Sequence, residues 1–114
     1  MSKDEWIYIT HMLNMSRKDV DLIEGLGRSD YDQDETLRLA LTHLVQIIGE
    51  AAQRVSPEFR EQYPNIPWKE IVGMRNRIVH DYLNVDEDVI WEVVQQDIPP
   101  LVEALAKIVP PEQE

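Results

Sequence analysis

The 114 residues contain no cysteine, which excludes both disulfide stapling and thiolate metal sites. A thiol-free chain suits a reducing compartment, so a cytoplasmic location is expected. Basic residues are also scarce: 11 Lys and Arg stand against 22 Asp and Glu, for a net charge of −11. Residues 86–114 carry eight acids against Lys107 alone. Such a chain does not hold nucleic acid by bulk attraction, because that affinity comes from neutralising many phosphates. Any nucleic-acid chemistry must be local or assisted by a basic partner. No apolar run approaches the ~18 residues of a membrane span. The opening "MSKDEWIYIT" places charges where a signal peptide needs apolar residues, so no membrane association is expected. His11, His43 and His80 are dispersed. With no His–Glu–x–x–His pattern, Gly-rich phosphate loop or nucleophile elbow, neither a metal nor a cofactor is expected.

The chain has an apolar content of 43%, enough for one core and one domain over residues 1–114. Helical periodicity dominates, and no run alternates with period two for long enough to suggest a sheet. A first helix is predicted over 4–25, with "GLG" at 25–27 as its stop, followed by a polar loop at 28–33. Asp34 or Asp32 then caps a long helix through about Val55, in which Leu37, Leu41, Leu44, Ile48, Ala51 and Val55 form a bundle-type line. Ala40, Ile47 and Ala52 widen that line, which suits a homodimer. Ser56 and Pro57 open a short extra helix that ends before Pro64. Pro67 starts a third major helix running to about Asp81–Leu83. A fourth runs from about Asp86 to Val109 and is kinked or interrupted by Pro99–Pro100, which lack backbone donors. The fold expected is all-α, an up-down four-helix bundle with a short extra helix and a Pro-kinked last helix.

The third major helix ends in "RNRIVHDY", residues 75–82, which sets two arginines, an asparagine, a histidine and a tyrosine around two aliphatic residues. Trp68, Ile71, Ile78 and Tyr82 fall on one line, and Arg75 occupies the gap between 71 and 78. A buried arginine there needs a partner, since an unpaired buried cation is costly. Glu50, on the polar line His43–Gln46–Glu50–Gln53, is a candidate to pair with Arg75 or Arg77, although such a line is ordinarily a solvent face. Asn76 and Arg77 share a face with His80, and Gly73, one turn back, leaves room for another backbone or a substrate. Arg75 and His80 lie about 140° apart on a regular helix. They meet only if the arginine reaches round, the helix loosens, or a second copy completes the site. Taken alone, a histidine near a helix end is ordinarily a capping or surface residue.

Arg75, His80 and Tyr82 resemble the Arg–x4–His–x–Tyr motif of the HepT-like family of HEPN ribonucleases, with Asn76 in the polar position after the arginine. "LTHLVQIIGEAAQRVSPEFREQYPNIPWKEIVGMRNRIVHDYLNVDEDVIWEVVQQDIPPL" is similar to such a domain over most of its length. The resemblance implies the toxin of a type VII-like toxin–antitoxin system: a metal-independent endoribonuclease acting on tRNA or mRNA. The partner implied is a minimal nucleotidyltransferase antitoxin that forms a hetero-oligomer with the toxin and transfers AMP onto Tyr82. His80 and Arg75 are then catalytic. Histidine is the side chain best poised for proton transfer at neutral pH, and an arginine stabilises charge on phosphoryl oxygens. Asn76 and Arg77 orient the phosphate or His80. The alternative, open because HEPN proteins include non-catalytic members, is a helical binding module in complex with a nucleotidyltransferase.

Overall fold

A computed structural model describes residues 3–81 and 84–110, with the backbone alone at 3, 4, 75, 79–81 and 84. The described elements are α1 (Lys3–Ile23), α2 (Arg28–Gln33), α3 (Glu35–Gln53), α4 (Pro57–Gln62), α5 (Trp68–Ile78), β1 (Val79–Asp81), β2 (Asn84–Val85), α6 (Glu87–Glu92), a π-helical turn (Val93–Asp97) and α7 (Ile98–Ile108). The architecture is an all-α, HEPN-like helical bundle. Helix α1 packs on α3 and α7, and α5 lies against α3.

Helix starts follow a common device. Asp34 Oδ1 accepts from the Leu37 amide at 3.0 Å, Ser56 Oγ from Phe59 at 3.2 Å, and Asp86 Oδ1 from Val89 at 3.2 Å. Each satisfies one of the amide donors that a helix start leaves unpaired. Pro57 occupies the first turn of α4, where its missing N–H costs nothing. Gly25, at φ +78°, takes the left-handed conformation after α1, and the Leu26 amide bonds back to the Ile23 carbonyl at 2.9 Å.

Two sequence expectations are corrected. Residues 28–33 are a helix rather than a loop: Asp30 accepts from the Gly27 amide at 2.8 Å and tethers its first turn. The third major helix stops at Ile78, short of Asp81–Leu83. Residues 79–81 pair antiparallel with 84–85, Val79 opposite Val85, and the Asp86 amide donates to the Ile78 carbonyl at 2.7 Å. Two β-branched neighbours, Ile78 and Val79, sit where the chain leaves the helix, which weakens helical propensity there. Helices α3 and α5 come close at Gly49, while the space at Gly73 is open. A Cβ on Gly49 would meet the Ile71 carbonyl oxygen at 3.2 Å, whereas one on Gly73 meets nothing within 4 Å.

The interruption at Pro99–Pro100 takes a defined form. Prolines have no N–H, so the carbonyls of Gln95 and Gln96, four residues back, lose their α-helical donors. The chain widens just before them, and the Ile98 amide reaches the carbonyl of Val93, five residues back.

Candidate active site

Helix α5 is fixed first by its buried side. Trp68, Ile71, Met74 and Ile78 are all buried, so Met74 joins the core line between 71 and 78. At the N-terminal end, Trp68 Nε1 donates to the Tyr63 carbonyl at 3.0 Å, and its ring stands edge-on to Phe59 at 6.4 Å. Phe59 in turn meets Trp6 at 5.2 Å and Tyr63 at 4.9 Å. The Glu5 carboxylate accepts from the Ser56 amide and hydroxyl, both at 2.7 Å. This cluster ties α1, α4 and the start of α5 together.

At its other end α5 carries the motif. Arg75 has its backbone in the last turn, and His80 has its backbone on β1. Their side chains, and Tyr82 altogether, lie outside the described residues. The backbone leaves helical geometry between Arg75 and His80, so the 140° separation of a straight helix does not apply. Asn76 and Arg77 are exposed. Arg77 Nη1 pairs with Asp97 Oδ2 at 3.5 Å, with side chains 47% and 48% exposed. Asp97 therefore takes the position at Arg77 for which Glu50 was a candidate. Glu50 is exposed on α3 together with His43 and Gln53, as a solvent face requires.

The segment after the motif is anchored from α2 and α3. Arg28 binds Asp32 at 2.8 Å and Asp88 at 2.6 Å, and Arg38 reaches Glu87 at 3.4 Å. The fully buried Tyr31 lies 5.1 Å from Trp91 and donates to the Glu87 carbonyl at 3.3 Å. Burial, with the Glu87 carboxylate nearby, pushes its phenol up to about 12, which keeps the donating proton in place.

Two features escaped the sequence reading. A groove of about 340 Å³ separates α5 from the π turn and α7, with Ile71, Met74 and Leu101 below and Arg77, Gln96 and Asp97 around it. Its signal in the sequence is the Pro99–Pro100 interruption beside two polar residues. The second is Asp19. It is fully buried, and neither carboxylate oxygen has a hydrogen-bond partner among the described residues. Ile9, Met12, Ser16 and Asp19 follow spacings of three and four along α1, a core line with a polar end. Burial pushes the Asp19 carboxyl up to about 8. Among the described residues no three His, Cys, Asp or Glu side chains form a metal-binding group, and no helix is long and apolar enough to cross a membrane.

A helical bundle with an arginine in the last turn of one helix and a histidine just beyond its end is the arrangement expected of a HEPN-type protein. Residues 12–108 match the family model described as "Ribonuclease HepT-like". The chain is 34% identical over 106 residues to a "Putative RNase" of Caldanaerobacter subterraneus subsp. tengcongensis, covering 93% of this chain and 95% of that protein. It is 32% identical over 100 residues to a "Putative RNase" of Methanocaldococcus jannaschii, covering 87% and 92% of the two chains. A "Probable ribonuclease HepT" of Thermococcus cleftensis is 36% identical over 86 residues, 72% of this chain and 78% of that one. No solved structure gives a significant match. The chain belongs to the HepT-like ribonuclease family of the HEPN superfamily.

Proposed function

We propose that the protein is a metal-independent endoribonuclease, the toxin of a two-component system silenced by a partner nucleotidyltransferase. The observation that carries this reading is the position of the motif: Arg75 lies in the last turn of α5 and His80 just beyond the helix end, in a chain of ribonuclease family. In the reaction the ribose 2′-oxygen bonds to the adjacent phosphorus and the bond from phosphorus to the 5′-oxygen breaks. One His80 removes the 2′-hydroxyl proton or protonates the departing 5′-oxygen, and a second copy of the motif across a homodimer performs the complementary transfer. Arg75 meets the charge that grows on the non-bridging oxygens. Asn76 and Arg77 hold the phosphate. The exposed Leu39, with half-buried Ala40 and Ile47 on α3, supports a second copy seated on that helix.

Silencing is by transfer of AMP onto the Tyr82 hydroxyl, which sets a phosphate beside Arg75, Arg77 and His80 so that they pair with it instead of with RNA. The toxin and its nucleotidyltransferase form a complex for this step.

The test uses purified protein and end-labelled RNA. Products ending in 2′,3′-cyclic phosphate and 5′-hydroxyl, formed equally well in EDTA, are expected. Cleavage abolished by EDTA, or 5′-phosphate ends, would contradict the mechanism. With partner and ATP, the intact mass should rise by whole AMP increments in the native chain and not in Tyr82→Phe. An equal gain in the variant would show that Tyr82 is not the acceptor.

A further inference from the structure

Apart from Arg77, the residues of the groove beside α5 have no part in the phosphate chemistry. Ile71, Met74 and Leu101 are buried below it, while Arg77, Gln96 and Asp97 are exposed at its edges. Its volume of about 340 Å³ is at the small end of ligand sites, suited to one planar ring system rather than a longer stack. Arg77 links it to the catalytic segment, being two residues from Arg75 and three from His80.

We propose that this groove is a base pocket for a guanine of the RNA substrate, next to the phosphate that is cut. The proposal rests on the ribonuclease reading above and adds the base that the site selects. The Watson–Crick edge of guanine presents, in order, an oxygen acceptor at O6, a donor at N1–H and donors at the 2-amino group. The groove's lining supplies carboxylates at Asp97 and Glu70 and an amide at Gln96, the acceptor and donor types this edge needs. A carboxylate at Asp97 accepts from N1–H and the 2-amino group in a two-point contact, and the amide of Gln96 donates to O6. The other bases fit worse. Adenine turns the acceptor N1 toward the carboxylate, cytosine offers its 4-amino group beside the acceptor N3, and uracil has one N–H flanked by two carbonyls. The thioether of Met74 and the aliphatic floor give the base's face an apolar seat.

The present partner of Asp97 is easily displaced. Its 3.5 Å contact with Arg77 is long and about half exposed at both ends, and such pairs are weak. A base arriving at Asp97 releases Arg77 toward the neighbouring phosphate, so recognition of the base and capture of the phosphate are one rearrangement.

The experiment measures binding of the intact protein to fully 2′-O-methylated hexanucleotides by fluorescence anisotropy. These lack the attacking hydroxyl and cannot be cut by the proposed route. One central position is guanine, inosine (guanine without the 2-amino group), adenine or uracil. Guanine should be preferred over adenine by about 5- to 150-fold, the usual discrimination of a two-point base contact, and less strongly over inosine, which keeps N1–H and O6. Asp97→Asn, at an exposed position and checked for fold by circular dichroism, should shrink that ratio to below about 2-fold. Because the readout is a ratio, any general change in phosphate affinity from freeing Arg77 cancels. Equal binding of all four oligomers, or a guanine preference unchanged in Asp97→Asn, would overturn the pocket. Cleavage of unmodified RNA run alongside separates the two claims. Guanine preference lost with Asp97→Asn, but without any cleavage, supports the pocket and removes the ribonuclease reading. Cleavage without preference overturns the pocket and leaves the ribonuclease reading standing.

Discussion

At its N-terminal end α5 is held by Trp68, whose ring and indole N–H are both engaged in an aromatic cluster with Phe59 and Tyr63. Its C-terminal end is held by backbone pairing of 79–81 with 84–85 and by the Asp86–Ile78 hydrogen bond. The exposed side there carries Asn76 and the half-exposed Arg77–Asp97 pair. One end is dense apolar packing. The other is polar, on a helix that stops early. The contrast suits the proposed function: stability concentrates where side chains are buried, and Asn76 and Arg77, which that proposal sets against a phosphate, are exposed.

Substitutions at the two ends of α5 and in the core differ in the size of effect expected. The largest is at the packed end. Phe59 is fully buried among three rings, and Phe59→Ala should cost about 3–5 kcal/mol of unfolding free energy in a denaturant titration. A loss below about 1 kcal/mol would mean that this end is not the anchor. Next is the core's polar fault at Asp19. Its folded carboxyl holds a proton up to about 8, against an ordinary 3.8. Its contribution to stability is therefore fullest below 3.8 and is lost as pH rises through about 8. Asp19→Asn should stabilise the protein at pH 9, by an amount of the order of a few kcal/mol. It should also flatten the fall in stability between pH 5 and 9, and an unchanged slope would remove the assignment.

A smaller effect is expected at Gly49. Alanine there gains about 1 kcal/mol of helix propensity. Its Cβ would press on the Ile71 carbonyl oxygen, backbone that cannot rotate away, and overpacking typically costs ~1–3 kcal/mol. Net destabilisation by about 1 kcal/mol is expected in the same titration, and a more stable variant would show that α3 and α5 have slack. Smallest is Arg77→Gln. The exposed ion pair is worth less than about 1 kcal/mol, so the melting temperature should barely move while RNA affinity falls. A large loss of stability would place Arg77 on the wrong side of the contrast.

Much of this division was legible in the sequence, and the misses have physical causes. The caps at Asp34, Ser56 and Asp86 could be read because a short polar side chain before an apolar run leaves few alternatives. Met74 was not singled out as a core residue between 71 and 78, because spacings of three and four both place a side chain near the same helix face. The end of α5 was overestimated because Tyr82 continues the spacing of Trp68, Ile71 and Ile78, while the pairing of 79–81 with 84–85 becomes visible only once the chain turns. Asp97 was missed as the Arg77 partner because it is twenty residues away and the π turn before Pro99 sets its place. Motif membership of Arg75, His80 and Tyr82 needed no tertiary information.

The most direct test is to measure RNA cleavage and thermal stability together on purified His80→Ala. Placing the chemistry beyond the end of α5 predicts that cleavage falls by about 10²- to 10⁴-fold while the melting temperature stays within about 2 °C of the parent, as for a substitution of less than about 0.5 kcal/mol. Folded His80→Ala protein that cleaves RNA at the parent rate would contradict it.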